Sequence, residues 1–169
     1  MNVSDILVKM IEYSNGNLHD ISHFLKVYGY AKTIGECEHL DARQQKTAEI
    51  AAIVHDIACP LCRCKYGNTN GKYQEKEGEI LAREFLKDTD LPEEMKERIV
   101  FLVGHHHTPK AVDGIDYQIL LEADYLVNAD ESSYSRTNIE NTLKTMFKTE
   151  TGKKLLQSIY LQDGNKSAC

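Results

Sequence analysis

The chain has 169 residues, of which 41% are hydrophobic and 27% charged, and its formal net charge is −6. Its length suits one ordinary globular domain, and its acidic balance argues against a nucleic-acid polymer as partner, because contact with many phosphates needs a basic surface. No apolar run approaches the roughly 20 residues that span a bilayer, and the first residues lack the apolar stretch of a signal peptide, so we expect a cytoplasmic protein with no membrane partner.

Apolar residues recur with a helical period almost throughout, which predicts an all-α fold: one helical bundle of about seven to eight helices. Residues 59–72 are predicted to form a loop, because turn-forming residues cluster there. We expect a single domain over residues 1–169, with a motif-bearing core at 18–130, C-terminal helices at 135–162 and a frayed tail at 163–169. The predicted helices cover residues 2–13, 18–38, 42–57, 73–87, 92–106, 117–129, 137–147 and 153–161.

Two of the early helices place ionisable residues on apolar faces. His23 falls on the apolar stripe of the second predicted helix, although a lone inward histidine is more often a hydrogen-bonded core residue than a ligand. The third helix is apolar on all sides between Ala48 and Val54, which predicts that it is buried, and it runs directly into His55 and Asp56. A buried ionisable pair is costly unless it is paired or binds a metal.

Two later helices repeat this arrangement. His106 lies near the centre of the apolar stripe of the fifth predicted helix, whereas His105 and His107 point about 100° to either side. Asp124 shares an apolar face of the sixth helix, where a carboxylate needs a cation or several hydrogen-bond donors. Glu122 is expected to point away from that face and to be solvated.

Four helices thus each place a histidine or an aspartate on an apolar face, and we interpret the four as converging on one cation. Helical bundles commonly build metal sites from side chains on facing helices. A mixed set of imidazole nitrogens and carboxylate oxygens suits a divalent metal ion such as Mn, Fe, Zn, Co, Ni or Mg rather than Ca. A second His-Asp pair, His19 and Asp20, is interpreted differently, because Asp20 is a favourable charge at the start of a helix.

The ordered set of motifs resembles the HD-domain superfamily of metal-dependent phosphohydrolases. The resemblance covers about residues 18 to 130. It implies an all-α fold, a divalent metal and hydrolysis of phosphate esters, often those of nucleotides. By motif position, the metal ligands of the family fall on His23, His55, Asp56 and Asp124. The matching segments are His23-Phe24-Leu25-Lys26-Val27, Ala51-Ala52-Ile53-Val54-His55-Asp56-Ile57, Gly104-His105-His106-His107-Thr108 and Glu122-Ala123-Asp124-Tyr125-Leu126.

Some HD proteins bind further metals through extra histidines on the intervening helices. His106, with His105 or His107 beside it, is the candidate for a second site here. The intervening helix often offers another histidine before a glycine, but this chain has Gln74 and Glu75 in that stretch. The sequence therefore favours one tightly held metal and a weaker second one.

The predicted function is hydrolysis of a phosphate ester of a nucleotide or another small phosphorylated metabolite, as a phosphomonoesterase or phosphodiesterase. Asp56 is expected to accept a proton from the attacking water. His106 is expected to stabilise developing negative charge or to protonate the leaving oxygen, because imidazole titrates near neutrality. Lys72, after the Gly/Asn-rich turn, and Gln74 are candidate substrate contacts, and the sequence leaves a homodimer open.

Cys59, Cys62 and Cys64 follow the His-Asp pair with a spacing that suits a thiolate metal site or a redox pair. No second pair of ligands follows nearby, so ordinary free thiols are favoured. Two other functions remain open on the sequence alone. One is a di-iron oxygenase of HD-like fold, which needs a complete dinuclear ligand set. The other is a non-catalytic, metal-stabilised module for ligand binding or signalling.

Overall fold

The computed structural model describes residues 1–162, and the secondary structure in that range consists only of helices. The predicted all-α fold is confirmed, with nine α-helices and one short 3-10 helix in the described residues. The tail predicted to fray, residues 163–169, lies outside the described residues. The α-helices are α1 (Val3–Tyr13), α2 (Leu18–Cys37), α3 (Ala42–Val54), α4 (Cys59–Tyr66), α5 (Gly71–Leu86), α6 (Glu93–Val103), α7 (Ile115–Glu131), α8 (Arg136–Thr145) and α9 (Glu150–Tyr160).

Helix α3 occupies the centre of the bundle and packs against α1, α2, α6 and α7. Every residue from Thr47 to Val54 is buried, which confirms the prediction from its apolar composition. Helices α2 and α7 pack on each other as well as on α3, while α5 pairs with α6. The chain leaves α3 at His55, so the His-Asp pair directly follows a buried stretch of a central helix.

Helix α4 was not predicted from the sequence, where residues 59–72 were interpreted as a loop. Pro60 lies in its first turn, a position that proline favours because its fixed φ suits a helix start. Gly67 ends the helix in the left-handed conformation, at φ 69°, and its N–H donates to the Arg63 carbonyl. The first part of the predicted loop is therefore a helix of its own.

The bounds of α6 and α7 differ from the predicted ones in ways that affect the polar residues. Helix α6 ends at Val103, so the three consecutive histidines lie in the turn that follows rather than on a helix face. Helix α7 extends to Glu131, two residues beyond the predicted end. Angles of 100° per residue therefore do not describe the histidine triplet, and the extended end of α7 carries two carboxylates, those of Asp130 and Glu131, that the predicted helix lacked.

The prediction that Glu122 is solvated was wrong. Its side chain has no exposed surface, and its carboxylate accepts hydrogen bonds from Gln118 Nε2 at 2.7 Å and from the backbone N–H groups of Lys148 and Thr149 at 2.6 and 3.0 Å. The Thr149 hydroxyl donates to it as well. Glu122 thus ties α7 to the start of α9, where Thr149 is the N-cap residue.

Cys37, Cys59, Cys62 and Cys64 are free thiols, as favoured from the sequence, and no metal-capable cluster in residues 1–162 contains a cysteine. Cys59 and Cys62 are buried, and burial raises the pKa of both thiols. Across the same residues, no helix combines the length and the apolar character that crossing a bilayer requires.

Candidate metal centre

The side chains of His23, His55, Asp56 and Asp124 meet at the junction of α2, α3 and α7. The Nε2 atoms of His23 and His55 are 3.3 Å apart. Asp124 Oδ1 lies 3.2 Å from His23 Nε2 and 3.4 Å from His55 Nε2. Asp56 Oδ2 lies 3.4 Å from His23 Nε2, and Asp56 Oδ1 lies 3.6 Å from His55 Nε2. Residues from distant parts of the chain therefore direct their donor atoms at one point.

Hydrogen bonds on the far side of each ring decide which imidazole nitrogen faces that point. The Nδ1 atoms of His55 and His106 donate to the carbonyls of Ala52 and Val103, each at 2.8 Å. A carbonyl oxygen can only accept, so Nδ1 must carry the proton and the neutral ring presents an Nε2 lone pair. His23 Nδ1 lies 2.8 Å from a carboxylate oxygen of Glu131, which imposes the same tautomer.

A second group adjoins the first and shares Asp56 with it. Donor atoms of Asp56, His106 and His107 lie within 4.8 Å of one another, as do those of His23, His55 and Asp56. His106 Nε2 lies 3.4 Å from Asp56 Oδ1, and it is buried without a hydrogen-bond partner in the described residues. Of the two neighbours considered for a second site, the structure places His107 in this group.

His105 lies apart from both groups. Its ring stacks on Phe101 with centroids 4.2 Å apart, and its Nδ1 atom donates to the Phe101 carbonyl at 2.8 Å. His107 instead packs against the backbone of Gly71 at the start of α5, where a Cβ atom would come within 2.8 Å of the imidazole Cγ. Glu75 accepts from the His107 N–H at 3.0 Å and so fixes the same turn.

Helix α7 supplies two polar residues that the sequence analysis missed. Asn128 Nδ2 donates to Asp124 Oδ1 at 2.8 Å, and Glu131 pairs with both His23 and Lys26. The signal was present, because Asp124, Asn128 and Glu131 are spaced four and three residues apart, which puts them on one helix face. Glu131 was missed because the predicted helix ended at residue 129.

A cavity of about 230 Å³ opens above these groups. Gln74 forms part of its wall and is held there, because its Nε2 donates to the Thr69 carbonyl at 2.7 Å and its Oε1 accepts from the Cys59 thiol. Lys72 is not among the lining residues. Its side chain is exposed, and its backbone N–H donates to Oδ1 of Asn70, the N-cap residue of α5. Arg63 and Asp20, which the sequence analysis did not place here, line the rim.

The model of the HD domain family matches residues 20–132, well over half of the chain. The chain belongs to the HD-domain family. Together with the histidine and aspartate groups, this membership indicates a hydrolase-type function that depends on a metal. No curated protein matches the chain.

Two solved structures are similar to this HD domain over most of their length. One is a predicted HD superfamily hydrolase from an uncultured Thermotogales bacterium, with 25% identity and a TM-score of 0.67, covering 94% of this chain and 84% of that one. The other is the Lin1889 protein from Listeria innocua, with 18% identity and a TM-score of 0.59, covering 95% and 92%. The second likeness shows the fold alone.

The carboxylates of this HD domain favour the protonated form of His23. Burial by itself lowers the pKa of His23, but Asp124, Asp56 and Glu131 outweigh burial and raise that pKa to about 9. Burial acts to raise the pKa of Asp56 and of Asp124, yet the neighbouring imidazoles hold both well below the usual range. The proton on His23 thus helps to balance the carboxylates, and a cation would balance them by displacing that proton.

The donor set of this HD domain fits a divalent cation. Ligands that bind one metal at about 2.1 Å lie roughly 3.0 to 3.4 Å from one another. The separations among His23 Nε2, His55 Nε2 and Asp124 Oδ1 are 3.2 to 3.4 Å. The buried Nε2 of His106, which has no hydrogen-bond partner in the described residues, is a second observation that favours a metal-binding role, because buried polar atoms are usually hydrogen-bonded.

Proposed function

We propose that this HD domain is a phosphohydrolase that cleaves a phosphate ester of a nucleotide or another small phosphorylated metabolite. The observation that carries the proposal is the convergence of His23, His55, Asp56 and Asp124 at the base of one cavity, with each histidine turned so that its Nε2 faces the others. These four residues are the proposed metal ligands. The size of the cavity, about 230 Å³, supports a small phosphorylated group as its occupant.

When bound there, a divalent cation polarises a phosphoryl oxygen and acidifies a water molecule at neutral pH. Asp56 is the proposed acceptor for the proton of the attacking water, because it is the carboxylate shared by both groups of donors. His106 is the proposed residue that stabilises the developing negative charge or protonates the leaving oxygen, and for either role its Nε2 must carry a proton in addition to the one on Nδ1. Alternatively, His106 and His107 hold a weaker second cation with Asp56.

Gln74 is a proposed substrate contact, because it stands in the wall of the cavity. Its amide is engaged with Thr69 and Cys59, which fixes its position in the wall, and its second Nε2 hydrogen is the proposed donor to the substrate. Lys72 is also proposed as a substrate contact, although its side chain would have to extend into the cavity from outside the lining residues.

The test is a phosphate-release screen across nucleotides and sugar phosphates, repeated with Mn, Co, Ni and Mg. We expect release with at least one pair of metal and substrate. Asp56→Asn should lower kcat/KM by about 10²- to 10⁴-fold, because the variant loses both a ligand and a proton acceptor. Asp130→Asn is the matched control, since it removes an exposed carboxylate from α7, and its activity should equal that of the wild type.

Other outcomes of the same screen would contradict the proposal. Metal binding without turnover on any phosphate ester would favour a non-catalytic ligand-binding or signalling module. Stoichiometric iron with oxygen consumption and no phosphate release would favour a di-iron oxygenase. Hydrolysis by Asp56→Asn at the wild-type rate, with metal still bound, would remove Asp56 from the mechanism.

A further inference from the structure

An ion pair between Asp20 of α2 and Arg63 of α4 borders the cavity above the proposed metal ligands. Asp20 precedes His23 by three residues, so it lies on the same face of α2, about one helical turn, roughly 5 Å, nearer the start of the helix. Arg63 likewise follows Cys59, another lining residue, by four residues of α4. Exposure increases in the same direction, since the side chains of His55 and His106 have no exposed surface and that of Arg63 is 42% exposed. The Asp20–Arg63 pair therefore lies at the rim of the cavity, nearer to solvent than the proposed metal ligands.

Asp20 holds Arg63 by one nitrogen of its guanidinium and leaves the others available. Arg63 donates to Asp20 through Nη2, and within residues 1–162 no acceptor is hydrogen-bonded to its Nε or Nη1. Asp20 is itself fixed by the N-cap residue of α2, because Asn17 Nδ2 donates to Asp20 Oδ2 at 2.7 Å and the Asp20 N–H donates to Asn17 Oδ1 at 3.2 Å. Arginine carries five N–H donors, so a guanidinium anchored in this way can still bind an anion.

The charges around the cavity make Arg63 distinctive. Four carboxylates line the cavity, from Asp20, Asp56, Asp124 and Glu131, and among the described lining residues Arg63 is the one lysine or arginine. Apart from a bound cation, Arg63 is therefore the permanent positive charge that the described lining residues offer to a phosphorylated substrate. The cavity is also smaller than the about 300 Å³ at which pockets for drug-sized ligands begin, so it can enclose a phosphoryl group and the group attached to it rather than a whole nucleotide.

We propose that Arg63 binds a second anionic group of the substrate, a phosphate or a carboxylate next to the phosphoryl group at the metal centre. This inference rests on the proposed function and narrows its substrates to phosphate compounds with two neighbouring anionic groups. The planar guanidinium suits this task, because two parallel N–H bonds match the oxygens of phosphate and carboxylate alike. Asp20 is the positioning residue that keeps the guanidinium at the rim.

The test compares the binding of three probes to the manganese-loaded protein by titration calorimetry. Methylphosphonate carries one anionic group, methylenediphosphonate carries two phosphonates, and phosphonoacetate carries a phosphonate and a carboxylate. We expect Arg63→Ala to weaken one or both of the two-group probes by about ten- to hundredfold, the range for a lost charge-assisted hydrogen bond, and to change methylphosphonate binding by less than about twofold. Arg63→Lys should recover part of the loss, because it keeps the charge without the fork.

Lys65→Ala is the matched control. It removes one positive charge from the same helix, but Lys65 pairs with Glu77 at 2.8 Å and does not line the cavity, so the affinities for all three probes should be unchanged. Retained methylphosphonate binding shows that Arg63→Ala is folded and metal-loaded. If Arg63→Ala fails this check, Arg63→Lys carries the test, with a selective but smaller loss expected.

The two-group probe that loses affinity identifies the second group as a phosphate or as a carboxylate. Unchanged binding of both two-group probes, or an equal loss for all three probes in a folded and metal-loaded variant, would overturn the inference. Binding does not require turnover, so these results are independent of the phosphate-release screen. A wild-type protein that hydrolyses simple monoesters while Arg63→Ala shows no selective loss would keep the proposed function and reject the subsite.

Discussion

His23 differs from the other two inward histidines in what orients its ring. His55 and His106 donate to backbone carbonyls three residues earlier, whereas His23 depends on the carboxylate of Glu131, more than 100 residues away in the chain. A carboxylate behind a histidine ligand fixes the tautomer and raises the basicity of the ligating nitrogen. Glu131 is in turn held by Lys26 at 3.1 Å, so a short chain of charges reaches the proposed metal ligand from the surface.

We therefore expect Glu131→Gln to weaken binding of manganese by about ten- to hundredfold while the fold is kept, because the amide removes the negative charge behind His23. Competition against a metal-binding dye measures this affinity. Glu36→Gln, which removes an exposed carboxylate from an i,i+4 pair with Lys32, is the control and should bind metal like the wild type. Equal affinities for Glu131→Gln and the wild type would show that the pairing with His23 contributes nothing to the site.

The four proposed ligands were predictable residue by residue, because helical periodicity places His23 and Asp124 on apolar faces and the composition of α3 predicts that His55 is buried. Glu131 was not found, and the choice between His105 and His107 beside His106 was left open. Glu131 lies just beyond the predicted end of a helix. His107 lies in a turn, where a period of 3.6 residues no longer says which way a side chain points. Glu122 was misjudged because its partners, Lys148 and Thr149, come from an element about 26 residues later.

At the scale of elements, α4 is the helix that the sequence did not predict, and it supplies two residues of the cavity lining, Cys59 and Arg63. Pro60 and Gly67 are start and stop signals for this helix, but the cysteine spacing and the nearby turn residues favoured a loop. The left-handed conformation of Gly67 is needed for the chain to leave α4 towards the N-cap of α5 at Asn70.

Two glycine substitutions should affect stability in opposite directions. Gly67→Ala should lower the free energy of unfolding by about 1 kcal/mol, because alanine disfavours a φ of 69°. Gly29→Ala should raise it by about 0.5 to 1 kcal/mol, because Gly29 lies inside α2 and a Cβ atom there meets nothing within 4 Å. Urea unfolding followed by circular dichroism measures both. A stabilised Gly67→Ala variant would contradict the assigned end of α4.

At the scale of the whole molecule, helices from separate regions of the sequence meet around one group of charges, so the metal state and the stability of the protein are linked. The order in which α2, α3 and α7 pack could not be derived from periodicity, which says which face is buried but not against what. The family resemblance supplied that arrangement. In the metal-free protein, the protonated imidazole of His23 offsets part of the charge on Asp56, Asp124 and Glu131.

This linkage predicts how stability depends on pH. Because the pKa of His23 is raised to about 9, its proton stabilises the fold fully below its ordinary pKa of about 6.5, and the contribution is lost as the pH rises through about 9. The Tm of the metal-free protein should therefore fall over this range. The increase in Tm caused by manganese should grow over the same range, because the metal needs the deprotonated ring.

Thermal unfolding between pH 6 and pH 8.5, with a chelator or with manganese, measures both trends. His23→Gln serves as the comparison, since it removes the titrating group, and both trends should be weaker in that variant. A metal-free Tm that stays level or rises across the range, or a manganese effect that shrinks with pH, would contradict the proposed linkage.

The hydrogen bonds from His55 Nδ1 to the Ala52 carbonyl and from His106 Nδ1 to the Val103 carbonyl have a consequence for redesign of the cavity. The orientation of these two imidazole rings is therefore set by the local backbone rather than by the surrounding side chains. Replacing wall residues such as Thr69 or Gln74 should leave those rings pointing inward, so an engineer could reshape the pocket for a new compound. Glu131 of α7 should be kept, because without its carboxylate the ring of His23 would lose the hydrogen bond that orients it.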